Sequence, residues 1–200
     1  MPARNAAQLV SVAAEAKTCT RCPLYRNATQ TVFGEGPASA RIMMVGEQPG
    51  DQEDLAGKPF VGPAGKILDR ALVDAGVERK KVYMTNAVKH FKNEPRGKKR
   101  LHKRPNRGEI EVCRYWLGRE IALVQPRLIV ALGVTAAETL AGRKITISKV
   151  RGTLIEFRDG QKGTVTIHPS SILRQPDDAS RRAAYAGLVK DLKIALKLAA

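Results

Sequence analysis

Four consecutive apolar residues, Ile42–Val45, run straight into Gly46-Glu47-Gln48-Pro49-Gly50-Asp51. A strand with one wet face alternates apolar and polar residues. An unbroken run this short instead reads as a strand covered on both faces, as in a parallel sheet packed between helices. Gly46, Pro49 and Gly50 then end it in a tight turn. Glu47, Gln48 and Asp51 sit on that turn, beyond the C-terminal end of the strand, where open α/β sheets bind their ligands. On these residues alone an ordinary solvated loop is the better reading; the other strand ends decide the matter.

Those ends are equally pointed. Lys81–Thr85 reads as a strand that delivers Asn86, and Arg127–Leu132 as another uninterrupted apolar strand. Thr153–Phe157 and Gly163–Ile167 form a hairpin about Asp159-Gly160, and its second strand hands off to His168-Pro169-Ser170-Ser171. Between them fall helical segments: Ala-rich Met1–Lys17, Pro63–Ala75 capped by Gly76, Arg107–Leu123, Thr135–Leu140 and Arg181–Leu198. The alternation predicts a three-layer α/β/α sandwich around a mostly parallel four-stranded sheet, with residues 1–200 as one domain. The N-terminal segment has no signal-peptide pattern and no apolar run reaches membrane-spanning length. The expectation is a cytoplasmic protein with no membrane partner, and nothing demands more than a monomer.

Charge narrows the partner. Thirty-five Lys+Arg against 19 Asp+Glu give a net charge of +16, an excess that favours a polyanion, most often nucleic acid. Much of it is local: Lys89–Arg107 holds nine cations and one acid, Glu94. A charge run is usually a solvated tail. This one lies between a strand and a helix, so the stretch at about 92–107 reads as an inserted basic binding loop.

Three cysteines do not make a full disulfide set and fit a reducing compartment. Cys19-Thr20-Arg21-Cys22 closes a helix, whereas a redox pair opens one after a strand, so metal ligation is the better reading. Phe60, on the loop Gly57–Gly62, is either core or a platform on which a base stacks. The amide of Asn86 either caps a turn or reads a pyrimidine edge, which needs a donor and an acceptor side by side.

Taken together, Cys19-x-x-Cys22, Gly46-Glu47-Gln48-Pro49-Gly50, Gly57–Gly62, Thr85-Asn86 and His168-Pro169-Ser170-Ser171 resemble the iron–sulfur uracil-DNA glycosylases, in family order from Cys19 to about Leu196. Gln48 in its motif and the insertion Gly97-Lys98-Lys99-Arg100-Leu101-His102-Lys103 resemble the X-type members, which become covalently joined to DNA. The resemblance implies a 4Fe-4S cluster on Cys19, Cys22, His90 and Cys113; the same set would also hold zinc, and His90 is otherwise a surface histidine. It implies a partner, uracil-containing DNA, whose uracil is flipped out of the stack. Phe60 then stacks on the base, Asn86 pairs with N3–H and O4, Gln48 positions base and loop, and His168 donates to O2. His168 reads alternatively as a turn cap bonded to its neighbouring serines. Lys98, Lys99, Arg100, Lys103 and Ser170 would hold DNA. His102, without that context a solvated side chain, would be the nucleophile at C1′, oriented by Glu47, with Asp51 in the pocket or positioning water. An attacking imidazole must be neutral, and histidine's ordinary pKa of ~6.5 leaves most of it so at pH 7. The rival expectations are a hydrolytic glycosylase in which His102 is dispensable, and a basic nucleic-acid-binding module without activity.

Overall fold

The computed structural model describes residues 2–200; Met1, at the start of the expected N-terminal helix, lies outside them. The core is a sheet whose central strands are β1 (Ile42–Gly46) and β5 (Leu128–Leu132). β1 pairs in parallel with β5 and with β2 (Val82–Asn86), and β5 pairs in parallel with β7 (Lys162–Thr166). Every residue of β1, β2 and β5 is buried; the apolar runs of β1 and β5 require it, while β2 also buries the polar Thr85 and Asn86. A fifth strand, the two-residue β6 (Ile155–Glu156), lies antiparallel on β7 as the expected hairpin. The sheet therefore has five strands rather than four, in the order β2-β1-β5-β7-β6.

Alternate side chains of the strands face opposite layers. Met44, Val82, Met84 and Val130 point toward α3 (Pro63–Ala75) and α8 (Asp178–Leu198), where they meet Leu68, Leu72, Leu188 and Leu192. Met43, Val45, Ile129 and Ala131 point the other way, against Leu9 of α1 (Pro2–Ala16), Leu117 of α4 (Arg107–Val124) and Leu140 of α5 (Val134–Ala141). Burying one such leucine or methionine contributes about 1.5–3 kcal/mol. A smaller cluster ties α1 to α4 through Val12, Ala16, Cys22, Val88, Cys113 and Trp116. No helix among the described residues is long and apolar enough to cross a membrane.

The basic insertion is not an open loop. It folds as a two-stranded antiparallel hairpin, β3 (Asn93–Arg96) on β4 (Lys99–His102). Arg96 pairs with Lys99, so the turn is Gly97-Lys98, with Gly97 at φ +59°. A glycine first in a two-residue turn permits the mirror-image geometry whose twist suits a hairpin. Lys89 also departs from expectation. Its side chain is fully buried against Glu120, so it adds nothing to the basic surface.

Candidate active site

The C-terminal ends of β1, β2 and β7 open onto a cavity of about 700 Å³, walled by Glu47, Gln48, Phe60, Asn86, His102 and His168 among others. Convergence here depends on Gly46. A Cβ at that position would lie 2.4 Å from Asn86 Oδ1 and 2.8 Å from Phe60 Cζ. Phe60 is buried and holds φ +57°, an unusual conformation for a large side chain. The Arg79 guanidinium donates to the Pro59 carbonyl at 3.1 Å, which steadies this turn. Glu53, in α2 (Asp51–Ala56), accepts from the Gly50 and Gly62 N–H groups at 3.1 and 2.6 Å. One carboxylate thus stitches the turn after β1 to the loop that carries Phe60. Sequence reasoning missed it, although Glu three residues after Gly50 is a capping-box spacing.

His168 faces Phe60, with ring centroids 6.3 Å apart and planes 30° apart. The Ser170 N–H donates to its Nδ1 at 3.1 Å, so Nδ1 accepts and the ring proton sits on Nε2. Ser170 Oγ lies 2.8 Å from the same nitrogen and accepts from Arg174 at 3.0 Å. Burial, then the nearby Arg174 and His102, pushes the His168 pKa down to about 4. The ring is a neutral donor through Nε2. Ser170, expected to hold DNA, here fixes that tautomer.

At the end of β4, His102 Nε2 lies 2.8 Å from Gln48 Nε2 and 3.6 Å from Glu47 Oε1. Gln48 is oriented on both sides: its Oε1 accepts from the Lys92 N–H at 3.0 Å, and its Nε2 donates to the Lys103 carbonyl at 2.9 Å. Its remaining N–H meets the Nε2 lone pair of His102. Glu47 is held from the opposite wall, where Thr135 Oγ1 donates to its Oε2 at 2.5 Å. Arg104 donates to Thr135 Oγ1 at 3.1 Å and stands 3.9 Å from Glu47 Oε2. Thr135 was not legible in the motifs, because α5 reaches this wall only through the sheet topology, and Arg104 was one cation of the basic stretch with nothing to single it out.

One expected pocket residue lies elsewhere. Asp51 is exposed at the start of α2, outside the cavity wall, and accepts from Arg100 Nε at 2.7 Å. Arg100 also donates to Asp54 at 2.6 Å and to Thr29 Oγ1 at 3.0 Å. The pair anchors the hairpin, which leaves Asp51 away from the pocket and Arg100 occupied. Lys103 pairs with Glu94 at 2.6 Å, while Lys98 and Lys99 are exposed at and beside the hairpin turn.

Asn86 is buried, and its backbone carbonyl accepts from Lys89 Nζ at 2.7 Å. The same ammonium donates to Glu120 Oε2 at 2.5 Å and Thr85 Oγ1 at 2.6 Å. Glu120 further accepts from Tyr83 Oη, Thr85 Oγ1 and the Gly34 N–H. Burial first, and then Glu120, push the Tyr83 hydroxyl pKa up. The strand end that carries Asn86 is thus fixed by a buried, fully bonded ion pair.

Cys22 and Cys113 are buried in the cluster between α1 and α4, with Cys19 packed against it. Trp116 Nε1 donates to Cys19 Sγ and the Lys89 N–H to Cys113 Sγ, each at 3.1 Å. Burial pushes the Cys113 thiol up to about 12 and that of Cys22 upward. His90 is buried as well, which lowers its pKa. Its Nε2 lies 3.0 Å from Thr31 Oγ1, which itself donates to the Ala16 carbonyl, so Nε2 carries the proton. That leaves the Nδ1 lone pair buried and without a partner. N–H groups aimed at sulfur and a free imidazole lone pair suit soft-metal ligation in kind. Among the described residues, however, no three His, Cys, Asp or Glu side chains gather tightly enough to hold a metal ion.

Residues 33–193 match the model of the uracil DNA glycosylase superfamily, and the chain belongs to that superfamily. The type-4 uracil-DNA glycosylase of Thermotoga maritima is 40% identical over 177 residues, covering 88% of each chain. The type-4 uracil-DNA glycosylase of Pyrobaculum aerophilum is 38% identical over 167 residues, 80% of this chain and 82% of that one. Similarity extends to that organism's type-5 uracil-DNA glycosylase, at 32% over 149 residues, 59% and 62% of the two chains.

Proposed function

We propose that this protein excises uracil from DNA and retains the resulting abasic sugar on His102. Superfamily membership and the type-4 relatives support the first half. The second half rests on one observation: the imidazole on the basic hairpin lines the same cavity as Asn86 and His168, with Nε2 3.6 Å from a carboxylate oxygen.

In this reading uracil enters the cavity extrahelical, since its glycosidic bond is unreachable in the stack. Phe60 stacks on the base, and Asn86 meets N3–H and O4. As the C1′–N1 bond breaks, its electron pair passes to the base and settles largely on O2. The Nε2–H of neutral His168 donates to that oxygen, a contribution of about 3 kcal/mol for a well-placed donor. Positive charge grows on the sugar, and the Glu47 carboxylate offsets it. Gln48 must release the His102 Nε2 lone pair, which then forms the bond to C1′. The Nδ1 proton leaves to solvent, and uracil departs as an anion that water protonates.

A 4Fe-4S cluster on Cys19, Cys22, Cys113 and His90 would supply an architectural cross-link between the N-terminal segment and α4. The mutually influencing thiols and the unpartnered His90 Nδ1 support it. Iron and acid-labile sulfide in the purified protein, lost on His90→Ala, are the expected result; zinc in their place would contradict it.

Hydrolytic release is the second reading, favoured by the hold of Gln48 on the His102 lone pair. A denaturing gel separates the two. Uracil-containing single-stranded DNA should give a slow-migrating adduct that His102→Ala abolishes. Free uracil and an unmodified abasic strand from the wild type would leave the hydrolytic reading standing.

A further inference from the structure

Beside the uracil cavity lies a second cleft of about 450 Å³, running between α4 and α5. The two spaces share Arg104 and Thr135, so the cleft continues the cavity on its α5 side. Five cations line it against two carboxylates, Glu111 and Glu138. Arg104, Arg107, Arg143 and Lys144 line it; Arg107 and Arg143 form no ion pair among the described residues, and Lys144 is almost fully exposed, 3.9 Å from Glu138. The facing carboxylate of Glu111 is already engaged by Arg114 at 3.0 Å and Arg158 at 3.4 Å. In the hairpin, Arg100 is locked on Asp51 and Asp54 and Lys103 on Glu94, while Arg96, Lys98 and Lys99, unpaired among the described residues, stand at its turn outside the cavity wall. The cleft offers Arg107 and Arg143, unpaired among the described residues, in a space continuous with the cavity.

We infer that the α4–α5 cleft carries the phosphodiester backbone of the uracil-bearing strand on one flank of the flipped nucleotide. The strand leaves the cavity past Arg104 and lays successive phosphates against Arg107, Arg143 and Lys144. This rests on the DNA-directed reading above and adds the route of the strand. Phosphate contacts of this kind position the strand without reading its sequence.

The test compares the wild type with Arg143→Ala/Lys144→Ala and, as a charge-matched control, Lys190→Ala/Lys193→Ala, which removes two exposed lysines of α8 on the opposite face of the sheet. Two uracil-containing single strands serve as probes: a trinucleotide, and one extended on both flanks. Binding is followed across a salt series. For the cleft variant, affinity for the extended strand should fall about tenfold, and the slope of log K against log salt should lessen by ~1.4, two contacts at about 0.7 each. Uracil release from the trinucleotide, too short to reach the cleft, should change less than twofold, and the control should keep the wild-type slope. Equal losses in cleft variant and control would mean that net charge alone acts, and would overturn the proposal. So would equal losses on both probes, or wild-type binding by the cleft variant. If the wild type releases no uracil at all, the reading of function fails instead, and the salt slopes still report whether the cleft holds DNA.

Discussion

At the residue scale the decisive feature is a neutral donor. The backbone N–H of Ser170 fixes the His168 tautomer, and burial holds its pKa near 4. Protonation is therefore suppressed through the range where an ordinary histidine titrates. Because the folded pKa lies below the unfolded value of ~6.5, the unfolded chain binds more protons between the two. Stability from this group is complete above pH ~6.5 and is lost as pH falls toward 4. Urea unfolding at a series of pH values should show that decline, and His168→Asn should flatten it. In single-turnover kinetics His168→Ala should slow uracil release about 100-fold, the loss of one preorganised donor. Gly46→Ala supplies a second check: its new Cβ would fall 2.4 Å from Asn86 Oδ1 and 2.8 Å from Phe60 Cζ, so uracil excision should drop sharply. Wild-type rates in that variant would mean that Asn86 does not read the base.

At the scale of elements, two sets of paired charges carry the site, one buried and one at the surface, and the sequence disclosed little of either. β1 and β5 were legible because unbroken apolar runs admit few other readings. The hairpin was not, because Pro95 and its charged neighbours lack the apolar alternation that marks a strand; only Gly97 hinted at the turn. Lys89 looked like one more surface cation, since nothing local announces that Glu120, on a distant helix, will neutralise it. Removing one member of such a pair leaves an uncompensated buried charge. Lys89→Met should therefore destabilise the protein by about 3–5 kcal/mol, and adding Glu120→Leu should recover part of it, both read by chemical denaturation. Arg100 acts on the other arrangement. Arg100→Ala frees the hairpin from Asp51 and Asp54, so adduct formation should slow more than uracil release. Equal slowing of the two would mean that the hairpin positions the base rather than His102.

For the whole molecule, a net charge of +16 favours a polyanion as partner, yet it does not say which cations are available. Pairing decides that, and pairing is a property of the fold: Arg100 and Lys103 are engaged, while Arg107 and Arg143 have no ion pair among the described residues. Asp51 was misplaced for the same reason. Its position on the motif was legible, but the direction of its side chain depends on an arginine 49 residues away. In the proposed reading, hairpin, sheet and cleft together deliver one imidazole to the sugar carbon of a flipped nucleotide. Intact-mass spectrometry after incubation with a uracil-containing strand, followed by peptide mapping, tests that most directly. The expected result is a protein heavier by the abasic strand, with the link mapped to His102. Released uracil beside a protein of unchanged mass would contradict it.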